Sequence, residues 1–186
     1  MSENTHGSND GISRRTVTKA MAWAGPAIAV AATVPIAAAS IVVPPPPVFN
    51  WGSGFKNPGA SCKLACVAKQ SYTTPVTVSN PSLEDYIIVF TSYAAGTNAV
   101  GINSLYTGEC SPVSSTCSST CTLPPGAKAV CVPAGTTSMT FFVSSGSLGS
   151  SPQGTQDVAW EWRRADDCSV ADSGVAHSET SPPGSC

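Results

Sequence analysis

Tyr86-Ile87-Ile88-Val89-Phe90-Thr91-Ser92-Tyr93 is the run that decides the fold. It is rich in β-branched and aromatic side chains, which fit a pleated, buried surface, and it predicts the best-defined strand of the chain. Upstream, Val76 and Val78 alternate with Thr77 and Ser79 from Pro75 onward, and Asn80-Pro81-Ser82 punctuates. Downstream, Ala94-Ala95-Gly96-Thr97-Asn98 reads as a turn and Val100–Tyr106 as a weaker strand. Lys128–Val132, Ser138–Ser144 and Gln156–Arg164 complete the strand signals, separated by Gly, Pro, Asn and Ser turns. A sustained 3.6-residue apolar period is missing; the nearest candidate is Ser61–Gln70, where Cys62, Ala65 and Cys66 share a helical face. Six or seven short strands predict an all-β fold: an antiparallel β-sandwich, disulfide-stapled, with an immunoglobulin-like Greek-key arrangement as the first choice. The immunoglobulin Cys…Trp…Cys spacing is not recognisable.

Composition narrows the function. Only 11% of the 186 residues are charged, against about 25% in an average domain. A nucleic-acid binder built on a basic patch is excluded, because phosphate neutralisation needs clustered Lys and Arg. The 41% hydrophobic content is inflated by an Ala-rich stretch near the N-terminus.

Ser13-Arg14-Arg15-Thr16-Val17-Thr18-Lys19 is followed by apolar residues from Ala20 to about Ile36, then Ala37-Ala38-Ala39 and Ser40. A charged start, an apolar middle and small residues before a cleavage point make an export signal. With Ser13, Arg14, Arg15 and Lys19 in place, the segment resembles a twin-arginine (Tat) signal peptide of exported actinobacterial proteins. Val17 and Thr18 stand where that family has Phe and Leu. The resemblance covers residues 1–39 and implies the export machinery as a partner, cleavage at Ala37, Ala39 and Ser40, and passage in a folded state. An uncleaved membrane anchor is the alternative. The expected organisation is a signal at 1–39, a Pro/Gly-rich spacer at 40–60 with Pro44-Pro45-Pro46-Pro47, a sandwich at 61–172, and a polar tail at 173–186. Beyond the signal, six basic and nine acidic residues give a net charge of −3. The destination is secretion or the cell surface, with only transient membrane contact if the signal is cleaved.

All eight cysteines follow the signal: Cys62, Cys66, Cys110, Cys117, Cys121, Cys131, Cys168 and Cys186. An even count in an exported chain predicts a disulfide framework, of unassigned connectivity among 105 pairings. The rival is a structural zinc held by Cys62-x-x-x-Cys66 and Cys117-x-x-x-Cys121. Export in a folded state sets a condition on the framework. The cytosol keeps thiols reduced, so either the domain folds adequately before its bridges form, which is the first choice, or the route is the general secretory one, or a cofactor is loaded first.

Catalytic constellations are scarce. His177 is placed in a polar tail, far from any rigid support that a Ser–His–Asp or Cys–His site requires. Glu84-Asp85, Glu161 and Asp166-Asp167 are the carboxylates from which a histidine-free glycosidase pair would be drawn. In Trp160-Glu161-Trp162-Arg163-Arg164, strand geometry puts Val158, Trp160 and Trp162 on one face and Glu161 and Arg163 on the other. Buried core is the leading reading of that tryptophan face; an aromatic surface for sugar or protein is the second. No cofactor, catalytic or metal residue is assigned. The expectation is a non-enzymatic binding or structural module whose partner is an extracellular protein or glycan. The alternatives are a small secreted hydrolase using acidic residues and a disulfide-rich inhibitor with its reactive loop at 110–122.

Overall fold

The computed structural model describes residues 42–57, 59, 67–108, 110–113, 117, 121–149 and 154–179. The signal residues Arg14, Arg15, Lys19, Ala37, Ala39 and Ser40 therefore lie outside the described residues, as do Cys62, Cys66 and Cys186 and most of the Ser61–Gln70 candidate helix.

Ten strands are described: β1 (Val48–Phe49), β2 (Phe55–Lys56), β3 (Tyr72–Asn80), β4 (Tyr86–Ala95), β5 (Asn98–Ala99), β6 (Ile102–Tyr106), β7 (Lys128–Val132), β8 (Thr136–Ser145), β9 (Gln156–Arg164) and β10 (Val170–Ser178). They form two antiparallel sheets packed as a sandwich. One has the order β1-β3-β8-β6, the other β10-β9-β4-β5; β2 also pairs with β3, and β7 with β4. Since β8 occupies one edge of β3, β1 and β2 follow each other along its opposite edge. In the same way β7 and β5 share the edge of β4 away from β9.

Strand β4 explains its own composition. Tyr86, Ile88 and Phe90 point between the sheets, where Phe90 meets Phe141 of β8 edge-on at 5.9 Å. Ile87 and Val89 point the other way and are also buried, in a second cluster with Ala165, Cys121, Leu123, Ala127 and Ala129. A strand buried on both faces reads as a continuous apolar run. Alternation then shifts by one residue. Phe90 pairs with Trp160 and Ser92 with Ala159, so Thr91 is an inserted residue. The bulge returns Tyr93 and Ala95 to the interior, both fully buried, where an unbroken ladder would place Ser92 and Ala94.

The long expected strands are present. The ends of the domain differ from the expectation. The segment 40–60, expected as a spacer, belongs to the sandwich over its described residues. Pro44 and Pro47 are buried, the Pro45 carbonyl accepts a 2.9 Å hydrogen bond from Trp162 Nε1, and β1 and β2 extend the first sheet. Prolines lack N–H donors but keep their carbonyls, so an extended proline segment can still cap a buried donor. The tail expected from residue 173 is likewise corrected: residues 170–178 are β10, paired with β9 apart from a bulge at Ala171. Only 180–186 of that tail lie outside the described residues.

Candidate functional site

The tryptophan face is core. Trp162 is fully buried and Trp160 is 6% exposed. Tyr86 packs edge-on to Trp162 at 6.4 Å, and Gly174 of β10 lies against the Trp160 indole. A Cβ at position 174 would sit 2.7 Å from Trp160 Cζ2. Glycine there leaves room for the ring. On the opposite face of β9, Arg163 donates two hydrogen bonds to Glu161 Oε2, at 2.9 and 2.7 Å. This ion pair engages two of the outward charges of the strand; the third, Asp157, contacts His177 of β10.

The other candidate carboxylates, Glu84, Asp85, Asp166 and Asp167, converge at one end of the sandwich. Asn80, fully buried, organises the β3–β4 connection. Its Nδ2 donates to the Glu84 and Val132 carbonyls at 2.8 and 2.9 Å, and its Oδ1 accepts from Ser82 N and Oγ. All the polar capacity of the amide is used, so the loop has one stable shape. Asp85 Oδ1 then accepts from Ala134 N at 2.8 Å, tying this loop to the one before β8.

Facing it, the β9–β10 turn closes through Cys168 N to Arg164 O and Arg164 N to Ser169 O. Arg164 becomes the hub: its Nη2 lies 3.1 Å from both Glu84 Oε2 and Asp166 Oδ2, and its Nε 3.2 Å from Asp166 Oδ1. Asp167 accepts from Ser169 N and Oγ at 2.9 and 2.6 Å. Leu83, Glu84, Asp85, Ala165 and Asp166 line an open hollow of about 400 Å³ here, and Leu83 is 98% exposed.

Electrostatics opposes acid catalysis by Asp166 and Asp167. The Arg164 hydrogen bond holds the Asp166 carboxyl below its ordinary range, and the Ser169 hydroxyl does the same for Asp167. Arg164 is correspondingly raised, first by its bond to Asp166. A glycosidase acid needs the reverse, a carboxyl kept protonated by an apolar surrounding. Burial raises the Tyr86 hydroxyl beside this cluster, with the Glu84 charge adding to it. Among the described residues, the Tyr86 oxygen has no hydrogen-bond partner.

His177 sits in β10 directly opposite Asp157, its Nδ1 in hydrogen-bond contact with Asp157 Oδ1. Both side chains are about half exposed. The third strand along this ladder offers Ala94 opposite Asp157.

The described cysteines are in disulfides. Cys117 bonds Cys131 and Cys121 bonds Cys168, while Cys110 is disulfide-bonded as well. The zinc alternative is thereby corrected for Cys117 and Cys121: each has a different covalent partner, and neither is a thiolate ligand. Among the described residues, no group of three or more His, Cys, Asp or Glu is arranged to hold a metal.

Arg164 as the hub, the Asn80 knot and the Gly174 cradle were not singled out in the sequence. Asn80-Pro81-Ser82 carried a turn signal, which does not disclose a buried amide. No family model and no curated protein matches this chain. Among the described residues, no helix is long and apolar enough to cross a membrane.

Proposed function

We propose that this chain is an exported, non-catalytic β-sandwich module, acting at or outside the cell surface as a binding or structural domain. The observation that carries the reading is the pair of disulfides, Cys117–Cys131 and Cys121–Cys168. Bridges of this kind persist in oxidising compartments and are rare in the cytosol. Ser13-Arg14-Arg15 and the Ala-rich stretch after it supply the route, a cleavable twin-arginine signal ending at Ala39. Its partner is an extracellular protein or glycan. Asp166 and Asp167 are held ionised by Arg164 and Ser169 respectively, which disfavours a hydrolase that would use either as its acid.

The finer architecture in this proposal is immunoglobulin-like. What supports it is the chain order: β1, β3, β4, β6, β8, β9 and β10, taken as A to G, give A-B-E-D in one sheet and G-F-C in the other. The extra strands β5 and β7 add to the free edge of C.

Export is tested in a bacterium with an active twin-arginine pathway. The chain is expected outside the cell with its N-terminus at Ser40, and Arg14→Lys/Arg15→Lys is expected to remain inside. Equal export of the double variant would overturn the route. A secreted form beginning at Met1 would overturn the cleavage.

A further inference from the structure

The two cores of the molecule differ in what holds them. Among the described residues, the main core between the sheets is made of strand side chains and contains no cysteine. Cys131 is the central residue of the Val130-Cys131-Val132 run in β7. Its two valine neighbours enter the main core, and Cys131 points away from it, paired in register with Ile87. The second cluster lies on the outer face of β4. There Cys121, Leu123 and Ala127 cover Ile87 and Val89, which are 4% and 0% exposed. Cys121 is bonded to Cys168 in the β9–β10 turn, and Cys117 to Cys131 in β7. Both bridges thus act on the cover and neither links the two sheets.

We propose that residues 121–127 form a redox-operated strap: the sandwich folds with its thiols reduced, and the Cys121–Cys168 and Cys117–Cys131 bridges close the strap over β4 afterwards. The biological setting, reduced folding followed by oxidation outside, rests on the export reading above; the device itself does not. Each closure converts two thiols into one S–S bond and releases two protons and two electrons. An external disulfide of the glutathione type takes them up, becoming two thiols, through thiolate attack and a mixed disulfide. With the strap open, Ile87 and Val89 are an apolar surface on the outside of the sandwich. With it closed, they are core. The sulfur atoms therefore control whether that surface is presented.

The test compares the full chain oxidised, reduced with a phosphine, and as the Cys121→Ser/Cys168→Ser variant. Hydrogen exchange is read by segment, and binding of an anilinonaphthalene dye reports exposed apolar surface. In the reduced chain and the variant, protection of the Ala127 amide, which donates to the Pro124 carbonyl inside the strap, is expected to fall at least about tenfold and dye fluorescence to rise several-fold. Protection in β3 and β8 and a cooperative thermal transition are expected to persist. Reoxidation with a glutathione redox pair should restore strap protection in the reduced wild-type chain and not in the variant. Loss of protection in β3 and β8 on reduction would overturn the proposal, because the bridges would then hold the sandwich itself. Unchanged protection of the Ala127 amide would also overturn it. A chain that passes this test without being exported refutes only the export reading; an exported chain that fails it refutes only the strap.

Discussion

Gly174 and Trp160 show how much one atom decides in this interior. The indole occupies the space a β-carbon would need, so Gly174→Ala forces either ring or strand to move. Overpacking of this kind costs about 1–3 kcal/mol, and chemical denaturation should show Gly174→Ala less stable by that amount. Trp162→Ala is expected to cost more, about 3–5 kcal/mol, because a fully buried ring leaves a cavity. An unchanged denaturation midpoint would remove Trp162 from the core. At Arg164 the effect is electrostatic. Asp166 has a folded pKa below its unfolded value of about 3.9. Its stabilisation is therefore fully present above that value and is lost as the pH falls through the folded one. Asp166→Asn should flatten the acid limb of stability below about pH 4 and leave the pH dependence between 6 and 8 unaltered, as read by denaturation across pH.

Strand β4 was legible because its residues state their own environment: a run apolar at every position is buried on both faces. The alternation Val158, Trp160, Trp162 was equally plain. Strand β10 was not legible, and the reason is the same Gly174. Its inward positions include Gly174, kept small for the Trp160 ring, and Ala176 opposite Val158, while Val175 points to solvent at 64% exposure. The hydrophobic pattern is inverted, so a reading by side-chain type finds a polar tail and leaves His177 without its partner Asp157. The acidic residues were found, but their convergence on Arg164 depends on two loops far apart in sequence. The bulge at Thr91 was hidden as well, since insertion changes register and not composition. Its importance is testable at the scale of the strand. Deleting Thr91 would make the ladder continuous and keep the pairs Phe90–Trp160, Ser92–Ala159 and Tyr93–Val158, so Tyr93 stays inward, whereas one residue inserted between Ser92 and Tyr93 would turn Tyr93 outward. The deletion variant is expected to retain cooperative thermal unfolding, and the insertion variant is expected to lose it.

At the scale of the whole molecule, the proline segment reverses the usual relation between a leader and its domain. Residues 44–47 would be dispensable as a spacer, yet Pro44 and Pro47 are buried and Pro45 accepts the Trp162 Nε1 hydrogen bond. β1, next along the chain, pairs Val48 and Phe49 with Thr77 and Val76, and Phe49 stacks on Trp51 at 5.0 Å. The domain thus begins at the segment that follows the expected cleavage point, and Val42–Cys186 forms one compact unit. A signal cut after Ala39 leaves this seal intact; a cut after Pro47 removes it. The two products should differ in stability. A chain starting at Ser40 is expected to unfold with the same midpoint as the secreted protein. A chain starting at Val48 leaves the Trp162 N–H without its acceptor, at a cost of about 1–3 kcal/mol, and exposes the apolar surface that Pro44 and Pro47 covered. Its denaturation midpoint should fall, and the tryptophan emission should shift to the red as water reaches Trp162. Equal midpoints and equal emission in the two chains would return the proline run to the role of a spacer.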